Sequence, residues 1–185
     1  KGLLQTHPPP PKNKIQQYYS TDKYISHHST GSGPFYFIYR TIRRINFWLK
    51  YRLMSKKELF SKTLDFGSGD QYFMQQLQRR NYNVFGIDPL KPNMSKQVFD
   101  SIFNESLENK KFSCITAWHS LEHVHELENT IARFHKILDD NGTVIVAVPN
   151  YRSFDARFYK SFWAPYDIPR HLWHFDKQSI KKVFS

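Results

Sequence analysis

Gly67 and Gly69 sit in the run Leu64-Asp65-Phe66-Gly67-Ser68-Gly69-Asp70, and one helix-length later Asp88 closes Val84-Phe85-Gly86-Ile87-Asp88. Glycines in a turn between a strand and a helix let a ligand approach the backbone closely. A carboxylate at the end of the following strand is a ligand for the paired hydroxyls of a sugar. The two features describe a cleft for a nucleoside-containing cofactor and leave the nucleoside open. A second group of residues has the types needed for proton transfer. His119, His123, His171 and His174 are the candidate bases, and His119 and His123, four apart, would share a face if their segment is helical. Each reads equally as a cap or a structural hydrogen-bond partner. Around the later pair lies an aromatic stretch from Phe162-Trp163 to Trp173-His174-Phe175. Trp163, Trp173 and His174 there either line an acceptor pocket or close the core. Arg170 either orients an anionic group on the acceptor or makes an internal ion pair.

Two sharper chemistries fail on spacing. A zinc-protease motif requires glutamate directly after its first histidine. Here Ser120 follows His119, so the sequence predicts no metal site, even with Glu122 nearby. A hydrolase elbow needs G-x-S-x-G, and Ser68 lacks those flanks.

The elements that must position these residues follow from periodicity. Strands are expected at Thr63–Phe66, Asn83–Ile87, from Val98-Phe99, at Phe112–Trp118 and at Thr143–Val148. Helices are expected from Gln71 to Gln78 and from Glu126 to Leu138, where Leu127, Ile131, Phe134 and Leu138 keep helical spacing. Asp140-Asn141-Gly142 is a turn signal, Pro149 stops the last strand, and a further helix starts at Asp176. Strands alternating with helices across short links predict an α/β protein: a mostly parallel, Rossmann-like sheet with helices on both faces. Residues 62–185 form this domain. Residues 1–61 form an N-terminal extension, with a proline run at His7–Pro11 and a tyrosine-rich stretch after it. His27-His28 and Gly31-Ser32-Gly33 then lie in a loop. Within the extension, Phe35, Ile38, Ile42, Ile45 and Leu49 fall on one helical face, with Arg40, Arg43, Arg44 and Lys50 on others. That amphipathic helix is expected to pack its apolar face on the main domain as a cover beside the cofactor site. The competing reading is peripheral membrane contact through residues 35–54.

The 185 residues hold enough for one hydrophobic core, and 17% are aromatic. Mean hydropathy is −0.64, and no run approaches the length of a membrane span. A single cysteine, Cys114, excludes an internal disulfide and sits in an apolar strand pattern. A cytoplasmic location is the expectation, peripheral to a membrane if the helix contacts one. The formal net charge is +11, which can draw in nucleic acid, anionic lipid or an anionic metabolite. No zinc-finger spacing, K-homology loop or ribonucleoprotein motif is present, so nucleic acid is not the expected partner.

The choice of cofactor turns on Asp70 and Tyr72. A nicotinamide fingerprint requires a third glycine where this chain has Tyr72, and Asp70 at the turn would repel a pyrophosphate. A cofactor without phosphate fits better, and S-adenosylmethionine brings a ribose diol, an amino group and a sulfonium that acidic residues favour. An NAD-dependent oxidoreductase and a noncatalytic protein- or membrane-interaction domain are the alternatives.

Asp65-Phe66-Gly67-Ser68-Gly69, Gly86-Ile87-Asp88, Trp118-His119-Ser120-Leu121-Glu122-His123-Val124 and Leu138-Asp139-Asp140-Asn141-Gly142 together resemble the class I S-adenosylmethionine-dependent methyltransferases. The similarity is to their small-molecule branch, which includes ubiquinone-biosynthesis-like enzymes, and it covers about residues 62–150. The segment from Trp163 to Phe175 also resembles one found in bacterial members. The resemblance implies that Asp65, Gly67 and Gly69 back the methionine and ribose of the cofactor and that Asp88 binds the ribose hydroxyls. It implies that Ser101 and Ile102 line the adenine and that His119 lies near the transferred methyl. Two departures stand out: Gln71 occupies a position where the family often has glycine, and Ser113 one where it often has aspartate. The family completes a seven-stranded sheet, so this chain is expected to lack the usual C-terminal strands. The expected activity is methyl transfer to oxygen, nitrogen or carbon of a small metabolite, with oxygen favoured. His171 is the expected acid/base or polar anchor, and His119 its rival.

Overall fold

The computed structural model describes residues 2–19, 33–55, 61–90 and 95–185. Five strands form a parallel sheet: β2 (Lys62–Phe66), β3 (Asn83–Ile87), β4 (Val98–Phe99), β5 (Phe112–Trp118) and β6 (Leu138–Ala147). Their spatial order is β4-β3-β2-β5-β6. The chain runs outward from β2 to β4 and then returns to β5 on the other side. The order therefore reverses between β2 and β5, where an open α/β sheet places its ligand crevice. Thr63 pairs with Val84 and Cys114, and Phe66 with Ile87 and Ala117. That register brings the carboxyl ends of all three strands to one edge.

The sheet is covered on both faces. Helix α3 (Leu127–Ile137) buries Leu127, Ile131 and Phe134 against Leu64, Phe66 and Ile115. On the other face α2 (Tyr72–Gln78) inserts Phe73, Met74 and Leu77 beside Val84 and Cys114. Cys114 is a buried free thiol. Burial on both faces explains the near-continuous apolar run of β5. The entry to β6 differs from the expected turn at Asp140-Asn141-Gly142. Phe112 pairs with Leu138 and Cys114 with Thr143, so β6 takes an irregular five-residue step where β5 advances by two. The turn residues form that excursion, with Asp139, Asp140 and Asn141 exposed.

The N-terminal segment is stitched onto the same domain. Strand β1 (Leu4–Gln5) pairs antiparallel with β7 (Trp173–His174), and the Thr6 hydroxyl donates to the His171 carbonyl over 2.7 Å. A 3-10 helix at Lys12–Tyr18 follows, and Lys12 is ion-paired with Glu126. Chain-terminal helix α5 (Lys177–Val183) starts at Asp176, whose carboxylate caps it, and a short α4 (Phe154–Tyr159) lies between β6 and β7.

Helix α1 (Pro34–Ser55) does sit beside the glycine turn, but its orientation corrects the expected packing. The buried positions are Phe47 and Met54, packed with Phe73, Met74 and Leu77. Ile38, Ile42, Ile45 and Leu49 point away and are each more than half exposed. The docked face is aromatic and cationic: Phe47 stacks on Tyr51 at 5.7 Å, and the Arg80 guanidinium lies 4.6 Å from the Phe47 ring centre. Cation–π contacts of this kind let arginines occupy a packed face. The side chain of Phe35, His27-His28 and Gly31-Ser32 lie outside the described residues.

Candidate functional site

The turn after β2 is held against the end of β3: the N–H groups of Gly67 and Ser68 both donate to the Ile87 carbonyl over 2.9 Å. Gly67 has φ +80°, and a Cβ there would lie 2.4 Å from the Cβ of Ser120. Any larger residue would collide with the segment leaving β5, whose Ser120 hydroxyl donates to the Phe66 carbonyl over 2.7 Å. Glycine is thus required on two counts, backbone conformation and space. Gly86 serves the same turn from below, since a Cβ there would approach the Ser68 hydroxyl to 2.8 Å. Gln71, where the resembling family often has glycine, adopts φ +61°, in the left-handed region.

Two carboxylates anchor the crevice. Asp88 accepts the Gly69 N–H over 2.7 Å and the Leu90 N–H over 2.9 Å, which fixes it at the mouth of the turn. Asp65 lies beneath, buried, accepting the Thr116 hydroxyl over 2.8 Å. Burial pushes the Asp65 carboxyl up from its usual 3.8 to about 6, against the hydrogen bond from Thr116 and the charge of Lys50. Lys50 reaches down from α1 with its ammonium 4.9 Å from the Trp118 ring centre. Burial lowers its affinity for a proton, while Asp65 and Asp70 oppose that effect. Arg43, also on α1, pairs with Asp70 and lies 3.9 Å over the Tyr72 ring.

A cavity of about 500 Å³ opens at the carboxyl edge of the sheet. Gly67, Asp88, Ser101, Ile102 and Ser120 line it, together with His123 and, from the N-terminal segment, Lys12, Ile15 and Tyr19. Its size lies within the range of cofactor pockets. The wall offers a ligand the Asp88 carboxylate as a hydroxyl partner and the apolar Ile102 beside Ser101 as a flat contact. The open space before Gly69 leaves room for the rest of the molecule, because a Cβ at Gly69 would meet nothing within 4 Å.

The candidate bases are distributed unevenly. His119, at φ +54°, breaks from helical geometry after β5, and its side chain is 62% exposed. It does not line the cavity and does not share a helical face with His123, because only Leu121–His123 form a 3-10 turn. His123 does line the cavity. Its Nδ1 lies 3.0 Å from the Arg170 carbonyl and 3.0 Å from the Tyr19 hydroxyl. A carbonyl only accepts, so Nδ1 carries the proton and Nε2 keeps its lone pair. Burial lowers the His123 pKa below its ordinary value, which keeps the ring neutral at pH 7. His171 lies one ring further in, its centroid 4.6 Å from that of His123, with Nδ1 donating to the Pro165 carbonyl over 2.8 Å.

Glu122 completes this cluster. It is fully buried, and neither carboxylate oxygen has a hydrogen-bond partner among the described residues. Glu122, His123 and His171 offer ligand atoms that all lie within 4.8 Å of one another. The expectation of no metal site rested on Ser120 standing where a zinc-protease motif needs glutamate, and the fold brings in His171 from a distant segment. A buried carboxylate beside the imidazoles of His123 and His171, with His119 Nδ1 3.6 Å from its Oε1, is a donor set that can accept a divalent cation.

The expected acceptor residues have structural partners. Arg170 pairs with Asp167 over 2.6 Å, and the Trp163 indole donates to Asp155 over 2.8 Å. The Trp173 indole donates to the Val124 carbonyl over 2.7 Å, and His174 Nε2 is 3.0 Å from the Thr6 hydroxyl. Burial lowers the pKa of His174. None of the four lines the cavity with Asp88. Sequence reasoning missed Lys12, Ile15 and Tyr19 as part of its wall, and their only signal was the tyrosine-rich composition near Tyr19.

The family described as a methyltransferase domain matches residues 38–185. The chain belongs to that family, its sheet is the Rossmann-like methyltransferase fold, and its cofactor is S-adenosylmethionine. A S-adenosylmethionine-dependent methyltransferase from Archaeoglobus fulgidus is similar over 74% of this chain and 65% of its own, with 20% identity and a TM-score of 0.57. The plantazolicin methyltransferase BpumL, solved with a desmethyl-plantazolicin analogue and S-adenosylhomocysteine, is similar over 91% of this chain and 71% of its own, at 17% identity and TM-score 0.59. A Thermotoga maritima protein described as a possible histamine N-methyltransferase covers 66% of this chain and 61% of its own, with 18% identity and TM-score 0.53. The chain thus spans a little under two thirds of the Archaeoglobus and Thermotoga proteins. No curated protein matches by sequence.

Proposed function

We propose that this protein transfers the methyl group of S-adenosylmethionine to an oxygen atom of a small molecule, with His123 as the base that takes the acceptor's proton. The observation that carries this reading is the position of His123 on the wall of the cavity that also holds Gly67 and Asp88. Its neutral ring and its Nε2 lone pair suit deprotonation of a hydroxyl. The cofactor, when bound, supplies an electrophilic methyl on sulfur.

The residues of the chain then have separate tasks. Asp88 holds the sugar, Ser101 and Ile102 face the base, and Asp65 and the Gly67 turn support the remainder. Positioning carries most of the acceleration, since the reaction needs alignment more than covalent assistance. Arg170 acts through its carbonyl, which fixes the tautomer of His123, and His171 holds the other side of that ring. His119 is the rival base in this reading. Trp163, Trp173 and His174 shape the acceptor side from behind, as fold-closing groups. The acceptor is a small molecule with an ionisable hydroxyl, the protein acts in the cytoplasm, and α1 contacts a membrane surface.

Tritiated S-adenosylmethionine incubated with the protein and extracted metabolites tests the assignment. Label transferred to a small molecule as a base-stable ether supports oxygen transfer. Label recovered on nitrogen or carbon, or none transferred by a protein that binds the cofactor, refutes it.

A further inference from the structure

Glu122 is fully buried, yet neither of its carboxylate oxygens accepts a hydrogen bond from a described residue. Withdrawing a carboxylate from water is costly unless a donor or a cation takes the place of the water. His119 Nδ1 stands 3.6 Å from Glu122 Oε1, beyond hydrogen-bond reach, on a side chain that is 62% exposed. The carboxylate is thus charged, dry and short of a close partner.

The two imidazoles beside it are oriented as metal ligands are. His123 donates from Nδ1 to the Arg170 carbonyl over 3.0 Å, and His171 donates from Nδ1 to the Pro165 carbonyl over 2.8 Å. Each ring therefore keeps its lone pair on Nε2. A carbonyl on the far nitrogen is the usual support of a metal-ligating histidine, because it fixes both tautomer and ring orientation. Asp167 Oδ2 lies 3.6 Å from His171 Nε2, but that carboxylate is already paired with Arg170. One donor atom from each of Glu122, His123 and His171 lies within 4.8 Å of the other two. Zinc holds such ligands at about 2.0–2.2 Å, so small side-chain rotations close the set onto one ion.

The backbone fixes the cluster. Glu122 and His123 lie in the 3-10 turn Leu121–His123 after β5, and His171 lies just before β7. The Leu172 N–H donates to the Glu122 carbonyl over 2.7 Å, and the Trp173 indole donates to the Val124 carbonyl over the same distance. These bonds stitch together the two segments that supply the three side chains.

We infer that Glu122, His123 and His171 bind one divalent transition-metal cation, of which zinc is the type, beside the cofactor cavity that His123 also lines. Two imidazoles and a carboxylate suit zinc and its first-row neighbours. Magnesium and calcium take oxygen ligands instead. A bound cation answers the charge of Glu122, and three protein ligands leave it an open position. Coordination engages the Nε2 lone pair of His123, so the metal-free protein is the form in which His123 acts as the base.

Calorimetric titration of the chelator-treated full chain with zinc, run without cofactor or acceptor, tests the inference. The parent is expected to take up one equivalent, and Glu122→Gln and His171→Ala to bind it about a hundredfold or more weakly. His119→Ala is expected to bind as the parent does, and magnesium to give no saturable heat. Zinc should raise the unfolding temperature of the parent but not that of Glu122→Gln. Glutamine matches glutamate in size and has no charge to desolvate, so the metal-free variant is expected to be at least as stable as the parent; circular dichroism checks the fold of each variant. No saturable zinc binding by the folded parent, zinc held equally well by Glu122→Gln and His171→Ala, or magnesium bound as tightly as zinc would overturn it. Methyl transfer is not measured, so failure of the oxygen-transfer reading leaves this result untouched.

Discussion

Replacing Asp65 with asparagine should stabilise the fold at neutral pH while weakening cofactor binding. Asp65 is buried at the base of the crevice, and its carboxyl is raised from 3.8 to about 6 because burial penalises the charged form. In the unfolded chain the same group ionises near its ordinary value. Below about pH 3.8 both states hold the proton and the group costs nothing. As pH rises, the unfolded chain loses its proton first, so stability falls until the folded carboxyl also ionises near pH 6. The difference corresponds to ~3 kcal/mol at 1.36 kcal/mol per pKa unit. Asparagine keeps an oxygen to accept the Thr116 hydroxyl and has no charge to desolvate. Urea unfolding of both proteins between pH 4 and 8 should give equal stabilities at the acid end. The variant should gain ~3 kcal/mol by pH 7.5, with the change concentrated between pH 4 and 6. S-adenosylhomocysteine affinity should drop in the same variant on the proposed placement of the methionine side above Asp65. A variant less stable than the parent at pH 7.5, or a stability gap independent of pH, would refute the reasoning.

Three further outcomes follow from single contacts. Gly67→Ala places a methyl 2.4 Å from the Ser120 Cβ at φ +80° and should lower stability by ~2–4 kcal/mol and abolish cofactor binding. Adding Ser120→Gly should restore part of the stability in a denaturation series. His123→Ala should reduce methyl transfer about 10²- to 10⁴-fold with cofactor affinity retained. In the parent, kcat/KM should fall as pH drops through a His123 pKa lying below 6.5, a limb absent from the variant's profile. Gln71→Gly relieves the φ of +61° and should shift stability by no more than about 1 kcal/mol. A large loss in thermal unfolding would show that the Gln71 side chain contributes packing.

The strands were legible because β2, β3 and β5 are short apolar runs, β2 running into Gly67 and β3 into Asp88, and burial on both sheet faces demands that composition. The cleft was legible for the same reason: Gly67, Gly69 and Asp88 are local requirements of one turn and one strand end. Helix α1 was visible as a helix but misread in orientation. Periodicity finds the most regular aliphatic stripe, whereas the docked face combines Phe47 and Met54 with Arg43 and Lys50, which read as polar until cation–π contacts are seen. The proton-transfer site was the least legible. His123 is set by Tyr19 and by the Arg170 carbonyl, partners far away in sequence. His119 carried the same motif but leaves β5 at a positive φ and is 62% exposed, its Nδ1 3.6 Å from Glu122. Trp163 and Trp173 looked like pocket walls, and their indole N–H groups instead tie loops together.

Calorimetric titration of the folded chain with S-adenosylhomocysteine, run beside the Asp88→Ala protein, tests the cofactor cleft most directly. The parent should give one saturable site, and the variant should bind about tenfold or more weakly for loss of the hydroxyl ligand. A folded parent that gives no saturable heat, or an Asp88→Ala protein that binds as tightly as the parent, would contradict the placement of the cofactor between Gly67 and Asp88.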